Sequence, residues 1–112
     1  MSRAILNPYR IVWLLVLFDL PTDSQEARRD YRLFRGSLLD DGFTMMQYSV
    51  YARCCPSEEH GAVHLLRIRA NLPPDGEVRI LQITDKQLSR MHVFLGKVRA
   101  PVEEPPEQLE FF

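Results

Sequence analysis

The sequence of 112 residues has few of the features that mark secreted or membrane proteins. It contains only two cysteines, Cys54 and Cys55, and a disulfide between neighbouring residues of a strand would be strained. Its longest apolar run, residues 11–18, is too short to cross a bilayer, which takes about 20 residues. Arg3 and Arg10 precede that run, but no small-residue cleavage site follows it, so a secretion signal is not expected. These absences predict a cytoplasmic protein in a reducing environment.

Charge is unevenly distributed along the chain. Residues 1–100 carry 14 basic and 11 acidic groups, a net charge of about +3, whereas residues 101–112 hold four glutamates and no basic group. Twelve of the 14 basic residues are arginine, whose planar guanidinium binds phosphate through paired hydrogen bonds. The composition, 46% hydrophobic and 26% charged, is that of one ordinary globular domain. We therefore expect a mild preference for a polyanionic partner.

Hydrophobic periodicity and capping signals predict a mixed α+β domain. The expected elements are a strand at residues 11–18, a helix opening at residues 22–25 and ending by Gly42, a strand at residues 44–53, a helix from Pro56 and Ser57, a strand at residues 77–84, a turn at residues 85–87 and a strand near residues 91–95. The predicted order is β-α-β-α-β-β. A ferredoxin-like sandwich has the order β-α-β-β-α-β, so one strand of the prediction is displaced. Periodicity alone does not decide between the two orders.

Either order places two helices on one face of a four-stranded sheet. The first strand is apolar on both faces, so the bare face is expected to be covered by a second copy of the chain. We divide the chain into a domain of residues 1–96, in which residues 1–9 are a flexible start, and a second segment of residues 97–112. That segment is expected to be a proline-rich linker and a C-terminal edge strand, which adds to a sheet of the partner protomer.

Asp19 ends the first strand and is the first candidate for a functional residue. An aspartate before Leu20 and Pro21 is most often a turn residue. The sharper interpretation is a metal ligand or general base, because a hydrated Mg²⁺ needs only one or two protein carboxylates together with substrate phosphates. One Asp19 per chain, doubled by a two-fold axis, would supply them.

Arginines on the predicted helices are the second group of candidates. A charged stripe opposite an apolar helix face is most often the solvated side of that helix. On the first helix, however, four arginines fall within eight residues and only Asp30 offsets them, which favours contacts with phosphates. The candidate nucleic-acid-binding residues are Arg28, Arg29, Arg32 and Arg35 on the first helix and Arg67 on the second.

Other catalytic and metal-binding motifs are weak or missing. His60 and His64 have the i, i+4 spacing of zinc ligands, but the glutamate of an HExxH motif is missing and no third ligand is evident. A zinc site is therefore not expected. The sequence has no glycine-rich phosphate loop and no G-x-S-x-G motif, and Ser49 has no obvious histidine partner.

Three segments together resemble the CRISPR-associated protein two family, the small non-integrase subunit of the spacer-acquisition machinery. They are residues 18–21 (FDLP), 42–51 (GFTMMQYSVY) and 83–87 (ITDKQ). The closing residues 108–110 (QLE), followed by Phe112, resemble the tail of the branch found in compact CRISPR systems. The resemblance covers about residues 10–112.

The resemblance implies an α+β, ferredoxin-like sandwich, with two helices on a four-stranded antiparallel sheet plus a C-terminal strand. It also implies a sheet-to-sheet homodimer, in which the C-terminal strand crosses to the partner. In such proteins residues 44–53 would pair antiparallel with residues 77–84, which would remove the displaced strand from the expected order.

For function, the resemblance implies two descriptions. One is a Mg²⁺-dependent endonuclease acting on RNA or DNA, with Asp19 as both metal ligand and catalytic residue. The other is a non-catalytic bridge that holds two integrase dimers and the backbone of a new spacer duplex. Some members described as nucleases carry an arginine where this chain has Met45, which weakens the catalytic description.

We therefore favour the scaffold as the cellular role and leave open whether the protein is an enzyme. The expected partners are a second copy of the chain, the CRISPR-associated integrase and double-stranded DNA or single-stranded RNA, with no membrane. The alternative is a stand-alone, toxin-like RNA-binding nuclease of the same fold.

Overall fold

The computed structural model describes residues 10–96. Its elements are β1 (Val12–Asp19), α1 (Gln25–Asp40), β2 (Thr44–Gln47), β3 (Val50–Cys55), α2 (Glu58–Ala70), β4 (Glu77–Thr84) and the short α3 (Asp85–Leu88). The expected flexible start and the expected linker and edge strand lie outside the described residues. Within those residues, no helix is long and apolar enough to cross a membrane.

The four strands form one sheet in the order β2-β3-β1-β4. Each neighbouring pair is antiparallel. Together with the chain order β1-α1-β2-β3-α2-β4, this is the strand arrangement of a ferredoxin-like sandwich. The expectation of an α+β fold with two helices on a four-stranded antiparallel sheet is therefore confirmed.

Residues 44–53 do not form one strand, so that prediction was wrong. They form a hairpin in which β2 pairs with β3, and the chain reverses at Tyr48 and Ser49. Ser49 has a φ of 62°, the left-handed conformation that tight hairpin turns require. The expected pairing of residues 44–53 with residues 77–84 was also wrong, because β4 pairs with β1 along its whole length.

The expected strand near residues 91–95 is also absent from the described part of the chain. Residues 91–96 have no regular secondary structure and are exposed. The fourth strand of the sheet comes instead from the division of residues 44–53 into β2 and β3. The expected turn at residues 85–87 becomes α3, which begins with a capping box between Thr84 and Gln87.

Both helices begin where their caps predict. Ser24 and Ser57 accept hydrogen bonds from the backbone N–H groups of Ala27 and His60, which satisfies N–H groups that have no partner inside the helix. Gly42 follows α1 with a φ of 87°, a conformation that glycine adopts without steric cost. The helix boundaries therefore follow from local sequence signals.

The core lies between the sheet and the two long helices. Alternate residues of β1 are buried there, and Phe18 packs edge-to-face on Phe34 of α1 with ring centroids 5.3 Å apart. The buried cluster is formed by Val12, Leu14, Val16, Phe18, Phe34, Leu38, Phe43, Tyr51, Cys55 and Ile68. Alternation sends the remaining residues of β1 to the opposite side of the sheet, which we call the open face.

The open face has an apolar centre and a charged end. It carries Trp13, Leu15, Leu17 and Asp19 of β1 together with their cross-strand neighbours Val50, Ala52 and Cys54 of β3 and Glu77, Arg79, Leu81 and Ile83 of β4. Leu17 and Leu81 are 37% and 51% exposed. Leucines in the middle of a sheet face are typical of a surface that is covered by another molecule.

Candidate functional site

Asp19 lies at the charged end of the open face, as the last residue of β1. Its side chain is exposed, and no hydrogen bond or ion pair involves it within residues 10–96. Two turns bring the chain close to this strand end. The Ser49 carbonyl accepts a hydrogen bond from the N–H of Phe18 at 3.1 Å. At Gly76, whose φ is 95°, a Cβ atom would lie 2.8 Å from the Asp19 carbonyl oxygen, so only glycine allows this approach.

Glu77 is directly opposite Asp19 in the β1–β4 register. Directly opposed residues of antiparallel strands project to the same face with Cβ atoms about 5 Å apart. The Glu77 side chain is 62% exposed and accepts a hydrogen bond from Arg79 Nη2 at 3.0 Å. The structure therefore adds a second carboxylate, which sequence reasoning missed because the pairing of β4 with β1 was not predicted.

These two carboxylates fit the chemistry of a Mg²⁺ site. Mg²⁺ prefers oxygen ligands, keeps several waters, and commonly takes only one or two protein carboxylates. The exposure of Asp19 and Glu77 leaves room for those waters and for phosphate oxygens. Arg79, which is ion-paired with Glu77, adds a positive charge beside these two carboxylates.

The arginines of α1 form a stripe of free positive charge, which we call the arginine stripe and define as Arg28, Arg29, Arg32 and Arg35. All four are exposed. Arg28 donates to the Thr22 carbonyl at 3.0 Å, and Arg35 donates to the Tyr51 hydroxyl at 2.6 Å. Because both acceptors are neutral, these bonds orient the guanidinium groups without cancelling their charge.

No ion pair within residues 10–96 involves the arginine stripe. The three ion pairs of that part of the chain use Arg67, Arg79 and His64 instead. Tyr48, at the tip of the β2–β3 hairpin, is 77% exposed, and its hydrogen bond with Tyr31 of α1 raises the pKa of its hydroxyl. Exposed aromatic rings beside free arginines are typical of surfaces that bind nucleic acids.

Arg67 differs from the arginine stripe. Its Nη1 donates to Asp41 Oδ1 at 2.7 Å, so much of its charge is offset by a carboxylate. The guanidinium is still 59% exposed. A role in nucleic-acid binding stays a prediction for Arg67, as it does for Arg28, Arg29, Arg32 and Arg35. None of the contacts of Arg67 within residues 10–96 involves Asp19.

Asp41 also binds a buried histidine. His64 Nδ1 is 2.7 Å from Asp41 Oδ2, and the His64 side chain is only 4% exposed. Burial alone would raise the pKa of Asp41, but hydrogen bonds from His64 and then from Arg67 outweigh it, so that the pKa is lowered. Asp41 is therefore held as a carboxylate beside His64.

A third metal-binding side chain lies next to the histidines. Cys55, the last residue of β3, offers its sulfur within 4.8 Å of ring nitrogens of both His60 and His64. Sequence reasoning rejected a zinc site because no third ligand was evident. Cys55 is five residues before His60 and matches no familiar zinc spacing, so only the packing of α2 on β3 brings it to the histidines.

Comparison with known proteins matches the chain to one family. The family model described as "CRISPR associated protein Cas2" matches residues 12–91. A "CRISPR-associated endoribonuclease Cas2" of Parvibaculum lavamentivorans is 52% identical over 90% of this chain and 100% of that protein. A protein of the same name from Flavobacterium psychrophilum is 49% identical over 96% of this chain and 93% of that protein. A solved structure titled "Crystal structure of cas2" aligns with a TM-score of 0.49 at 20% identity, over 86% of this chain and 99% of that one.

Proposed function

The chain belongs to the CRISPR-associated Cas2 family, and from that premise we propose that it is the spacer-acquisition subunit that bridges two integrase dimers and binds the backbone of the spacer duplex. The observation that carries this proposal is the arginine stripe, four exposed guanidinium groups that no carboxylate neutralises within residues 10–96. Arginines that contact phosphates hold a duplex without reading its bases. Binding should therefore depend weakly on sequence and fall steeply with salt.

An integration assay tests the bridging role. Labelled spacer duplex is incubated with the cognate integrase and a target array, with and without this protein. We expect integration to require the protein, because in the proposed complex it joins the two integrase dimers and holds the backbone of the duplex. Equal integration in its absence would contradict the bridge and would favour the stand-alone, toxin-like nuclease, which needs no integrase.

We also propose that the open face is the interface of a homodimer. Its apolar centre includes Leu17 and Leu81, which are exposed on the side of the sheet opposite α1 and α2. Two stacked open faces would bury these leucines. They would also bring the charged ends of both sheets, each with its Asp19, to the same interface.

Leu81→Arg should convert the dimer into monomers. Leu81 is 51% exposed in the protomer, so the new arginine is solvated there, whereas in the dimer it would be buried without a partner. We expect a cost of about 3 kcal/mol, or about 100-fold in the dimer dissociation constant. Light scattering after size exclusion would report the change from about twice 13.1 kDa to 13.1 kDa.

Leu66→Arg is the matched control for this experiment. Leu66 is 63% exposed on α2, so the same substitution adds the same charge on the helical side of the sheet. This variant should remain dimeric. A dimeric Leu81→Arg protein, or dissociation by both variants alike, would contradict the proposed interface.

As a second activity we propose Mg²⁺-dependent endonuclease cleavage at Asp19. The observation that favours it is the pair of exposed carboxylates, Asp19 and Glu77, on one end of the open face. The relatives named above are called endoribonucleases. When bound, Mg²⁺ would supply charge neutralisation of the phosphate and activation of water.

The protein's own residues would then have simple roles. Asp19 and Glu77 would hold the cation at the rigid end of β1, and Arg79 would keep Glu77 oriented and attract the substrate backbone. Hydrolysis would leave a 5′-phosphate and a 3′-hydroxyl. In the strands of the open face, Asp19 and Glu77 are the acidic groups that the register places at this end, so activity should be modest.

A further inference from the structure

Cys55, His60 and His64 converge beneath the first two turns of α2. Cys55 ends β3, and the two histidines are one turn apart on the helix face that packs against it. The nitrogen and sulfur atoms that these residues offer lie within 4.8 Å of one another. Cys55 is fully buried and His64 is 4% exposed, while His60 is half-buried. Cys55 and His64 are therefore enclosed, and His60 is the most exposed member of the cluster.

The hydrogen bonds of His64 fix which of its nitrogens carries the proton. Arg53 Nε donates to His64 Nε2 at 3.0 Å, and an arginine can only donate. Nε2 therefore holds a lone pair, and the proton is on Nδ1, which donates to Asp41 Oδ2 at 2.7 Å. A histidine whose Nδ1–H binds a carboxylate while Nε2 presents a lone pair has the arrangement found behind zinc-bound histidines.

His60 supplies a second, independent observation. Its Nδ1 is buried and has no hydrogen-bond partner within the described residues. A buried polar nitrogen without a partner is costly and is usually explained by an absent water or ion. The two rings are in edge-to-face contact, with centroids 4.9 Å apart, so His60 is already held beside His64.

From these contacts we propose that Cys55, His60 and His64 form a Zn²⁺ site, with Asp41 as the carboxylate that orients His64. One thiolate and two imidazoles are donors that favour Zn²⁺ over Mg²⁺. Tetrahedral zinc ligands lie about 3.3–3.8 Å apart, so the side chains need to close by about 1 Å. Cys55 would bind as the thiolate and release its proton to solvent.

Arg53 donates a hydrogen bond to the lone pair of His64 Nε2, which the metal would use. Its side chain lies over Gly42, where a Cβ atom would come within 2.6 Å of Arg53 Nη1. Zinc binding requires Arg53 to leave His64 Nε2 and turn toward solvent. The bound Zn²⁺ would then link the start of α2 to the end of β3. It is separate from Asp19 and does not depend on the proposed nuclease or bridging roles.

The test uses the full-length, tag-free protein, reduced and freed of metal, and Co²⁺ as a spectroscopic probe. We expect one Co²⁺ per chain, with the strong visible bands of a tetrahedral site and a thiolate-to-cobalt charge-transfer band, both displaced by Zn²⁺. Zn²⁺ at about 100 times its Kd should raise the melting temperature by about 10 °C. Octahedral Co²⁺ spectra or no binding would overturn the proposal.

Matched variants identify the ligands. Cys55→Ser should lose the charge-transfer band, whereas Cys54→Ser, the exposed neighbour on the open face, should keep it. His60→Gln tests the site even if Cys55→Ser fails to fold, because His60 is half-buried, and it should lose the tetrahedral bands. Asp41→Asn should weaken binding about 10–100-fold. Loss of the band in Cys54→Ser, or full binding by His60→Gln, would overturn the assignment.

Discussion

Replacing Asp19 with alanine is expected to abolish Mg²⁺-dependent cleavage while leaving spacer integration intact. Asp19 is the carboxylate at the rigid end of β1, and removing it leaves only Glu77 to hold a cation there. We expect a loss of at least about 100-fold in cleavage rate. Labelled RNA and labelled duplex DNA, each with Mg²⁺ or with chelator, would report the change. The same protein samples would enter the integration assay.

The fold of this variant should be unaffected, so lost cleavage can be assigned to the site. The Asp19 side chain is exposed and makes no hydrogen bond or ion pair within residues 10–96, and such surface changes usually alter stability by less than about 0.5 kcal/mol. Asp23→Asn is the control, because Asp23 is an exposed carboxylate four residues further along the chain, in the loop before α1. It should cleave as the unmodified protein does.

Each combination of results has a definite meaning. Lost cleavage with intact integration means that the nuclease site is real and that bridging does not use it. Cleavage that survives in Asp19→Ala, or that is equally strong with chelator, contradicts the proposed site. If no sample cleaves and all support integration, the protein is a scaffold and Asp19 is a turn residue.

Glu77→Gln refines the same experiment. If Glu77 shares the cation with Asp19, this variant should need a higher Mg²⁺ concentration for half-maximal cleavage. Its maximal rate should change less than that of Asp19→Ala, because Asp19 remains. An unchanged Mg²⁺ requirement would remove Glu77 from the site.

The parts of this structure that sequence patterns predicted correctly are local. Both helices were placed because their serine caps and apolar spacing depend only on neighbouring residues. Asp19 could be singled out because a buried strand ends there. The faces of β1 followed from alternation, which needs no knowledge of its neighbours.

The parts that were missed depend on the rest of the fold. Residues 44–53 are strand-forming throughout, and the reversal at Ser49 carries no glycine to mark it. Once that hairpin is missed, the pairing of β4 with β1 cannot be inferred, and Glu77 cannot be placed beside Asp19. Cys55 is missed for the same reason, because its distance from the histidines is set by how α2 packs on β3.

Neutralising the arginine stripe should have the largest effect on duplex binding. The triple variant Arg28→Gln, Arg32→Gln and Arg35→Gln removes three charges per protomer, and the dimer loses twice that number. If each guanidinium contacts one phosphate, the slope of log K against log salt falls by about 5, and affinity at moderate salt falls by about 100-fold or more. Fluorescence anisotropy over a salt series would measure both. Integration should fall in parallel.

A second triple variant distinguishes the effect of where the arginines lie from the effect of the protein's net charge. Arg10, Arg69 and Arg90 are also exposed and lie outside α1, so changing them to glutamine removes the same charge elsewhere. If the arginine stripe is the binding surface, this control should bind the duplex several-fold to tens of times more tightly than the stripe variant and keep most of the salt slope. Equal losses from both variants would mean that only the overall positive potential matters. An unchanged affinity in the stripe variant would exclude α1 as the duplex-binding surface, because its free guanidinium groups would then contribute nothing to holding phosphates.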